Sequence, residues 1–344
     1  MLRFLAASLV VIEHLLGNIM SNWPHAAQYS VPAFGAMGVI VFFGISGFIM
    51  IETQAASFGS KEQAFNFYTK RILRVLPIYA IATSLQYLNK IHSGPDYNLL
   101  NYIKSLAFIP YTDASGLYRP ILAQGWTLNY EMFFYLIFAA ALSFKKTVGL
   151  AISIGFFIAL SAMQNSAKEN ELFFTFYANR ILLFFVCGML VGVVKNHFNF
   201  KIEKVIVPLA LCSLLILSAL ALTVRGDGQE YLAFDIAMVA ICVFFAASYQ
   251  PRIISKPILF FERLGDASYS TYLFHGFIIG GLKIISNHIG ENQYGQIVVF
   301  AAACIVIANL GGYIAFSIIE SPLARFFKHN QRISTLIAVK NSKS

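Results

Sequence analysis

The chain has 344 residues, of which 58% are apolar and only 12% charged, and it carries a formal net charge of +9. Soluble domains carry about 25% charged residues, so together with a mean hydropathy of +0.68 the composition excludes a soluble globular enzyme. Four cysteines, Cys187, Cys212, Cys242 and Cys304, lie inside apolar runs without a Cys-x-x-Cys pair, which argues against a disulfide framework or a metal site.

Apolar stretches between polar breakers predict about ten membrane-spanning helices, at roughly 2–20, 32–51, 75–91, 126–143, 147–163, 174–194, 205–224, 231–249, 269–287 and 296–319. An even number puts both termini on one side. If that side is the cytoplasm, most of the 25 lysines and arginines fall inside, as the positive-inside rule requires. The basic charge then needs no nucleic acid as partner. The expected fold is an all-α polytopic membrane protein with both termini cytoplasmic. A single transmembrane domain covers 1–325, and a basic cytoplasmic tail covers 326–344.

The first stretch, "MLRFLAASLVVIEHLLGNIM", has the basic start and apolar centre of a targeting peptide. Glu13 and His14 interrupt that centre, which a cleaved leader would not need, so it is read as a retained span. The segment 92–125 is polar, with Pro and Tyr, and is expected to lie over the outer face as a lid or acceptor platform. Segment 52–76 ends in "FYTKRILRVLP", a basic amphipathic approach to the third span.

Arg3 and His14 are eleven residues apart. At about 100° per residue this is three turns plus about 20°, so both project from one helix face, about 16 Å apart along the axis. Arg3 then sits at the cytoplasmic rim and His14 near mid-membrane. A ligand with an anionic head and a long thin arm, such as coenzyme A, would bridge them. A guanidinium suits phosphates, and a neutral imidazole suits general-base work near pH 7. The bland alternative is an Arg3 that snorkels and a His14 bonded to a neighbouring span.

The opening "LRFLAASLVVIEH" resembles that of the acyltransferase 3 family of membrane acyltransferases, whose first span carries an Arg and a His. Further landmarks follow in the family's order: "FFGISGFIM" (42–50), "FYTKRILRVLPIY" (67–79), "GWTLNYEMFFY" (125–135), "LGDASYSTYLFH" (264–275) and "ESP" (320–322). The wording is most similar to the exopolysaccharide-modifying branch. Only two residues precede Arg3, fewer than the family usually carries, so the true start is expected upstream. The resemblance implies transfer of an acyl group, usually acetyl, from acetyl-CoA or another acyl-CoA to a hydroxyl of a cell-surface glycan or its lipid-linked precursor. It implies the bacterial inner membrane as location and no metal. Membrane lipids surround the chain, and homo-oligomers or polysaccharide-assembly partners stay open.

On that reading His14 is the catalytic base or carries the acyl group itself, and Glu131 orients the acceptor hydroxyl or takes its proton. Arg3, Arg71 and Arg74 bind the donor phosphates, with His275 lining the donor tunnel. Arg71 and Arg74 share a helix face. Tyr130 and Trp126 are placed against the acceptor sugar, although Trp126 also suits an interface anchor. Glu131 is expected about one turn beyond His14 in depth. Glu13 is expected to pair with another span and Glu320 with a basic residue. Asp266 and Ser268 are read as helix caps, and Gly44 and Gly47 as a close helix contact. Two other functions stay open: a transporter or flippase using Arg3, His14 and Glu131 as a proton relay, and acylation of peptidoglycan or a small secondary metabolite.

Overall fold

A computed structural model of the chain describes residues 1–21, 33–166, 171–198, 200–203, 206–225, 231–251, 255–286 and 294–326. The expected basic tail, beyond its first residue, lies outside the described residues. In chain order the helices are α1 (Leu2–Met20), α2 (Phe34–Gln54), α3 (Lys61–Lys90), α4 (Leu99–Leu106), α5 (Trp126–Leu142), α6 (Lys146–Ala162) and α7 (Leu172–Tyr177). They continue with α8 (Leu182–Phe198), α9 (Ile206–Arg225), α10 (Leu232–Ser248), α11 (Lys256–Asp266), α12 (Ser268–Ser286) and α13 (Tyr294–Ala315). A turn of π-helix, Phe316–Glu320, extends the last of them. Among the described residues the β structure is one isolated bridge, Ile202 to Tyr249. The protein is all-α.

Among the described residues, side-chain caps start two of these helices. Ser60 accepts a hydrogen bond from the Gln63 N–H at 3.2 Å to open α3, and Asn98 accepts one from Asn101 at 2.9 Å to open α4. Each satisfies a backbone donor that a helix N-terminus leaves unpaired.

Among the described residues three helices are long and apolar enough to cross a membrane: Leu2–Met20, Phe34–Gln54 and Gly295–Phe326. The expectation of ten is corrected to at least these three. Lys146–Ala162, Leu182–Phe198 and Leu232–Ser248 are apolar but shorter, below the roughly 20 residues that a bilayer core requires of an untilted helix. The protein is an integral, multi-pass membrane protein. Its exposed large side chains, such as Leu209, Leu217, Val298, Val299 and Ile318, present the apolar surface that lipid tails cover.

Three other boundaries differ from expectation. The amphipathic approach and the third span are one 30-residue helix, α3, because no breaker separates them; Pro77 sits inside it without ending it. The stretch 174–194 divides into α7 and α8 around Ala178–Ile181, where Asn179 turns its carboxamide oxygen back to the Ile181 N–H at 2.9 Å. Such a local side-chain bond competes with the helix. The segment 92–125 contains α4 and then runs into the protein, burying Tyr111, Ile121 and Leu122.

α2 packs at the centre, against α1, α8, α9 and α10. Its seam with α8 is built on glycine. A Cβ on Gly47 would meet the Phe185 carbonyl oxygen, and one on Gly188 would meet that of Gly44. The close approach read from Gly44 and Gly47 is present, and packing is their role. Beside this seam lies an aromatic core in which Phe134 stacks on Phe185 at 4.3 Å and packs against Phe138 and Phe157.

Candidate active site

Two cavities of opposite character lie along α1. The first, about 90 Å³, is lined by Arg3 of α1, Ser46 of α2, Arg71 and Arg74 of α3, Glu131 and Tyr135 of α5, and Tyr269 of α12. Among the described residues the ion pairs are Arg119–Asp113 and Lys195–Glu52, so none of the three arginines is held in one. Arg71 is fixed instead by ring faces, 5.3 Å from the centroids of both Phe67 and Tyr135, a cation–π arrangement. A neighbouring recess of about 220 Å³ lined by Gln54, Gln63, Phe67 and Lys70 shares Arg71 and Arg74, and extends the basic lining toward the start of α3. Three arginines with one carboxylate among them give this cavity a lining with excess positive charge, the kind that suits an anion.

The second cavity, about 1280 Å³, holds His14, Glu13, Gln124, Trp126, Tyr130 and His275 among its walls. Val39 and Tyr272 border both cavities. The Tyr272 hydroxyl lies 2.9 Å from the Thr127 hydroxyl and donates to the Gln124 carbonyl at 3.1 Å. Phe42 meets the Tyr272 ring edge-on at 6.1 Å. Arg3 and His14 therefore open into different spaces that meet at a hydrogen-bonded tyrosine.

His14 is exposed to the larger cavity. Its Nδ1 lies 3.1 Å from Nε2 of His275, with ring centroids 4.9 Å apart. His275, only 2% exposed, has its Nδ1 2.6 Å from the Tyr272 carbonyl. His275 faces His14, while Tyr269 and Tyr272 of the same motif line the basic cavity. The rest of the motif ties helices together. Tyr269 donates to the Val75 carbonyl of α3 at 2.9 Å, Ser270 donates to Glu320 at 2.6 Å, and Gln124 donates to the Leu273 carbonyl at 2.8 Å.

Glu131 is also displaced from expectation. It sits in the basic cavity, accepting hydrogen bonds from Ser46 at 3.2 Å and from the Tyr135 hydroxyl. The reason is the segment before α5. With Ile121 4% and Leu122 2% exposed, the chain is already inside the protein when α5 begins. Trp126 and Tyr130, not Glu131, then lie at the level of the histidine cavity.

Tyr130 is largely occupied. Its ring stacks on Phe176 at 4.5 Å and its hydroxyl donates to the Phe176 carbonyl at 2.5 Å, which leaves an edge for the cavity. Trp126 is only partly buried and is the more available aromatic.

Glu13 accepts from the Gly35 N–H at 2.8 Å, a carboxylate at the first turn of α2 where the helix dipole favours it. Glu320 is bonded to Ser270 rather than to a basic residue. The cap reading fails at Ser268, whose buried hydroxyl has no hydrogen-bond partner; Asp266 ends α11.

Residues not singled out from sequence complete the site. Tyr135 lies one helical turn from Glu131, an i, i+4 spacing that could have identified it. Ser46 was the one hydroxyl in a glycine-rich apolar run. Gln124 carried no signal that distinguished it from its neighbours, whereas Tyr272 belongs to the Ser-Tyr-Ser-Thr-Tyr stretch read with His275 as lining the donor tunnel.

A family profile described as an acyltransferase domain matches residues 1–316. The exopolysaccharide production protein ExoZ of Rhizobium meliloti (strain 1021) is 32% identical over 316 residues, covering 88% of this chain and 94% of that protein. Nodulation protein 10 of Rhizobium leguminosarum bv. viciae is 26% identical over 83% of both chains. The O-acetyl transferase of Shigella phage Sf6 is 22% identical over 90% of this chain and 91% of its own length. No solved structure matches.

Proposed function

The chain belongs to the acyltransferase 3 family, and we propose from that premise that it moves an acetyl or other short acyl group from acyl-CoA to a hydroxyl of a cell-surface polysaccharide or its lipid-linked precursor. The observation that carries this reading is the meeting of a cavity lined by three arginines with a larger cavity that exposes an imidazole. The first suits an anionic donor and the second a bulky polar acceptor. A relative named for exopolysaccharide production and another named as an O-acetyl transferase support the acceptor class and the acyl group.

Arg3, Arg71 and Arg74 would take the donor phosphates by charge-assisted hydrogen bonds. The thioester would reach the border at Val39 and Tyr272, beside which the acceptor lies in the histidine cavity. His14 takes the proton of the attacking hydroxyl as its oxygen bonds to the thioester carbonyl carbon. The carbon–sulfur bond then breaks, and the departing thiolate recovers the proton. Glu131 orients the donor arginines rather than the acceptor. In this reading residues 1–325 act as one catalytic unit in the bacterial inner membrane, and the Arg3 end faces the cytoplasm, where acyl-CoA resides.

The test is [¹⁴C]acetyl-CoA added to membranes bearing the chain and its native glycan. Label should enter glycan with wild type and fall by about 10²–10⁴-fold, the usual contribution of a general base, with a folded His14→Ala. Full labelling by that variant, or proton-coupled flux without label transfer, would overturn the reading.

A further inference from the structure

His14 is the exposed member of a pair whose other member is buried, and the hydrogen bonds between them have a direction. A backbone carbonyl only accepts. Nδ1 of His275 lies 2.6 Å from the Tyr272 carbonyl, so that nitrogen carries a hydrogen, and in a neutral ring Nε2 keeps the lone pair. Nε2 faces Nδ1 of His14 at 3.1 Å, so the His14 hydrogen is on Nδ1. The Val10 carbonyl, 3.1 Å from the same nitrogen, demands the same assignment. The lone pair of His14 is left on Nε2, on an exposed side chain that lines the large cavity.

We propose that His275 is a positioning residue for acyl transfer: it holds His14 in the tautomer and ring orientation that keep the Nε2 lone pair free for the acceptor hydroxyl. The inference rests on the reading of His14 as the base. Val10 cannot do this alone. Its carbonyl also accepts the helical N–H of His14, so the side chain only shares it, and the exposed imidazole has little packing to fix its rotation. His275 is well placed to fix it. It is buried, and its helix is pinned to the start of α5 by Gln124 on the Leu273 carbonyl and by the contact between the Tyr272 and Thr127 hydroxyls. In catalytic triads a third group similarly fixes the tautomer of the base.

The experiment compares His275→Leu and His275→Gln in the full chain, with [¹⁴C]acetyl-CoA as probe and membranes supplying the native glycan. Leucine fills space and accepts nothing. The glutamine amide oxygen can take the position of Nε2 and accept from His14. His275→Leu should lower the maximal rate by about 10- to 100-fold while leaving the KM for acetyl-CoA within about twofold, and His275→Gln should recover most of the rate. An unchanged rate in the leucine variant, a glutamine variant as poor as the leucine one, or a raised KM at unchanged rate would each overturn the proposal. If His275→Leu does not fold, the glutamine variant still decides: a rate near wild type supports the proposal and a loss of 10-fold or more overturns it. His14→Ala is run beside them. Full activity in His14→Ala removes the base reading itself, whereas an inactive His14→Ala with a fully active His275→Leu removes only this inference.

Discussion

Replacing Gly188 by alanine should cost the protein stability far out of proportion to one methyl group. The added Cβ would fall on the Gly44 carbonyl oxygen, with the Gly44 carbonyl carbon and the Phe48 nitrogen each 2.8 Å away. Comfortable contacts between carbon atoms lie at about 3.5–4.0 Å. Every neighbour in the way is main chain, so no rotamer relieves the clash, and α2 and α8 must part by roughly 1 Å, which forfeits up to half of the dispersion energy along the seam. Overpacking of this kind costs about 1–3 kcal/mol. Gly155→Ala on α6 is the matched control: nothing lies within 4 Å of its Cβ, and alanine is the better helix former by about 1 kcal/mol. Thermal unfolding of both variants in the same lipid nanodisc, followed by size-exclusion profile, should show Gly188→Ala melting several degrees below wild type and Gly155→Ala at or above it. Equal melting of the two would refute the claim that glycine sets the α2–α8 distance. The folded fraction of Gly188→Ala should also lose activity, because α2 carries the Ser46 hydroxyl that holds Glu131.

Arg74→Ala should raise the KM for acetyl-CoA by about 10- to 100-fold, the worth of one charge-assisted contact, with little change in maximal rate; an unchanged KM would remove Arg74 from the donor site. Glu131→Leu takes the one carboxylate from among three arginines and the acceptor of both Ser46 and Tyr135, so the KM for acetyl-CoA should hold or fall while the maximal rate drops as those two hydroxyls lose their anchor. A raised KM instead would mean that Glu131 supports donor binding directly. In the loop before α5, the Leu117 N–H above all, together with Ser115 and with Arg119 at 4.0 Å, holds the Asp113 carboxyl below the usual carboxylate range. A depressed value means that this anchoring is complete above the ordinary pKa and is lost only as pH falls through the lowered one. Limited proteolysis should find the 113–119 turn protected at mildly acidic pH and opened by Asp113→Ala at every pH; cleavage unaffected by that variant would show that the turn is held by other contacts.

The sequence determined what is local and periodic. Apolar runs announced an all-α membrane protein, because a bilayer demands long unbroken hydrocarbon surface. The 3.6-residue repeat put Arg3 and His14 on one face of α1, and glycine spacing announced the seam at Gly44 and Gly47. None of these needs knowledge of what the other segments do. Only the tertiary structure decided that the shared face looks into two cavities, since the residues at their border, Val39 and Tyr272, arrive from α2 and α12. The depth of Glu131 followed from the burial of Ile121 and Leu122 ahead of α5, which hydropathy reads as an ordinary loop. The contact of His14 with His275 joins positions 261 residues apart. Such pairings are fixed by how helices pack, where shape and hydrogen-bond geometry act over a few ångströms in space regardless of distance along the chain, and a one-dimensional pattern does not carry them.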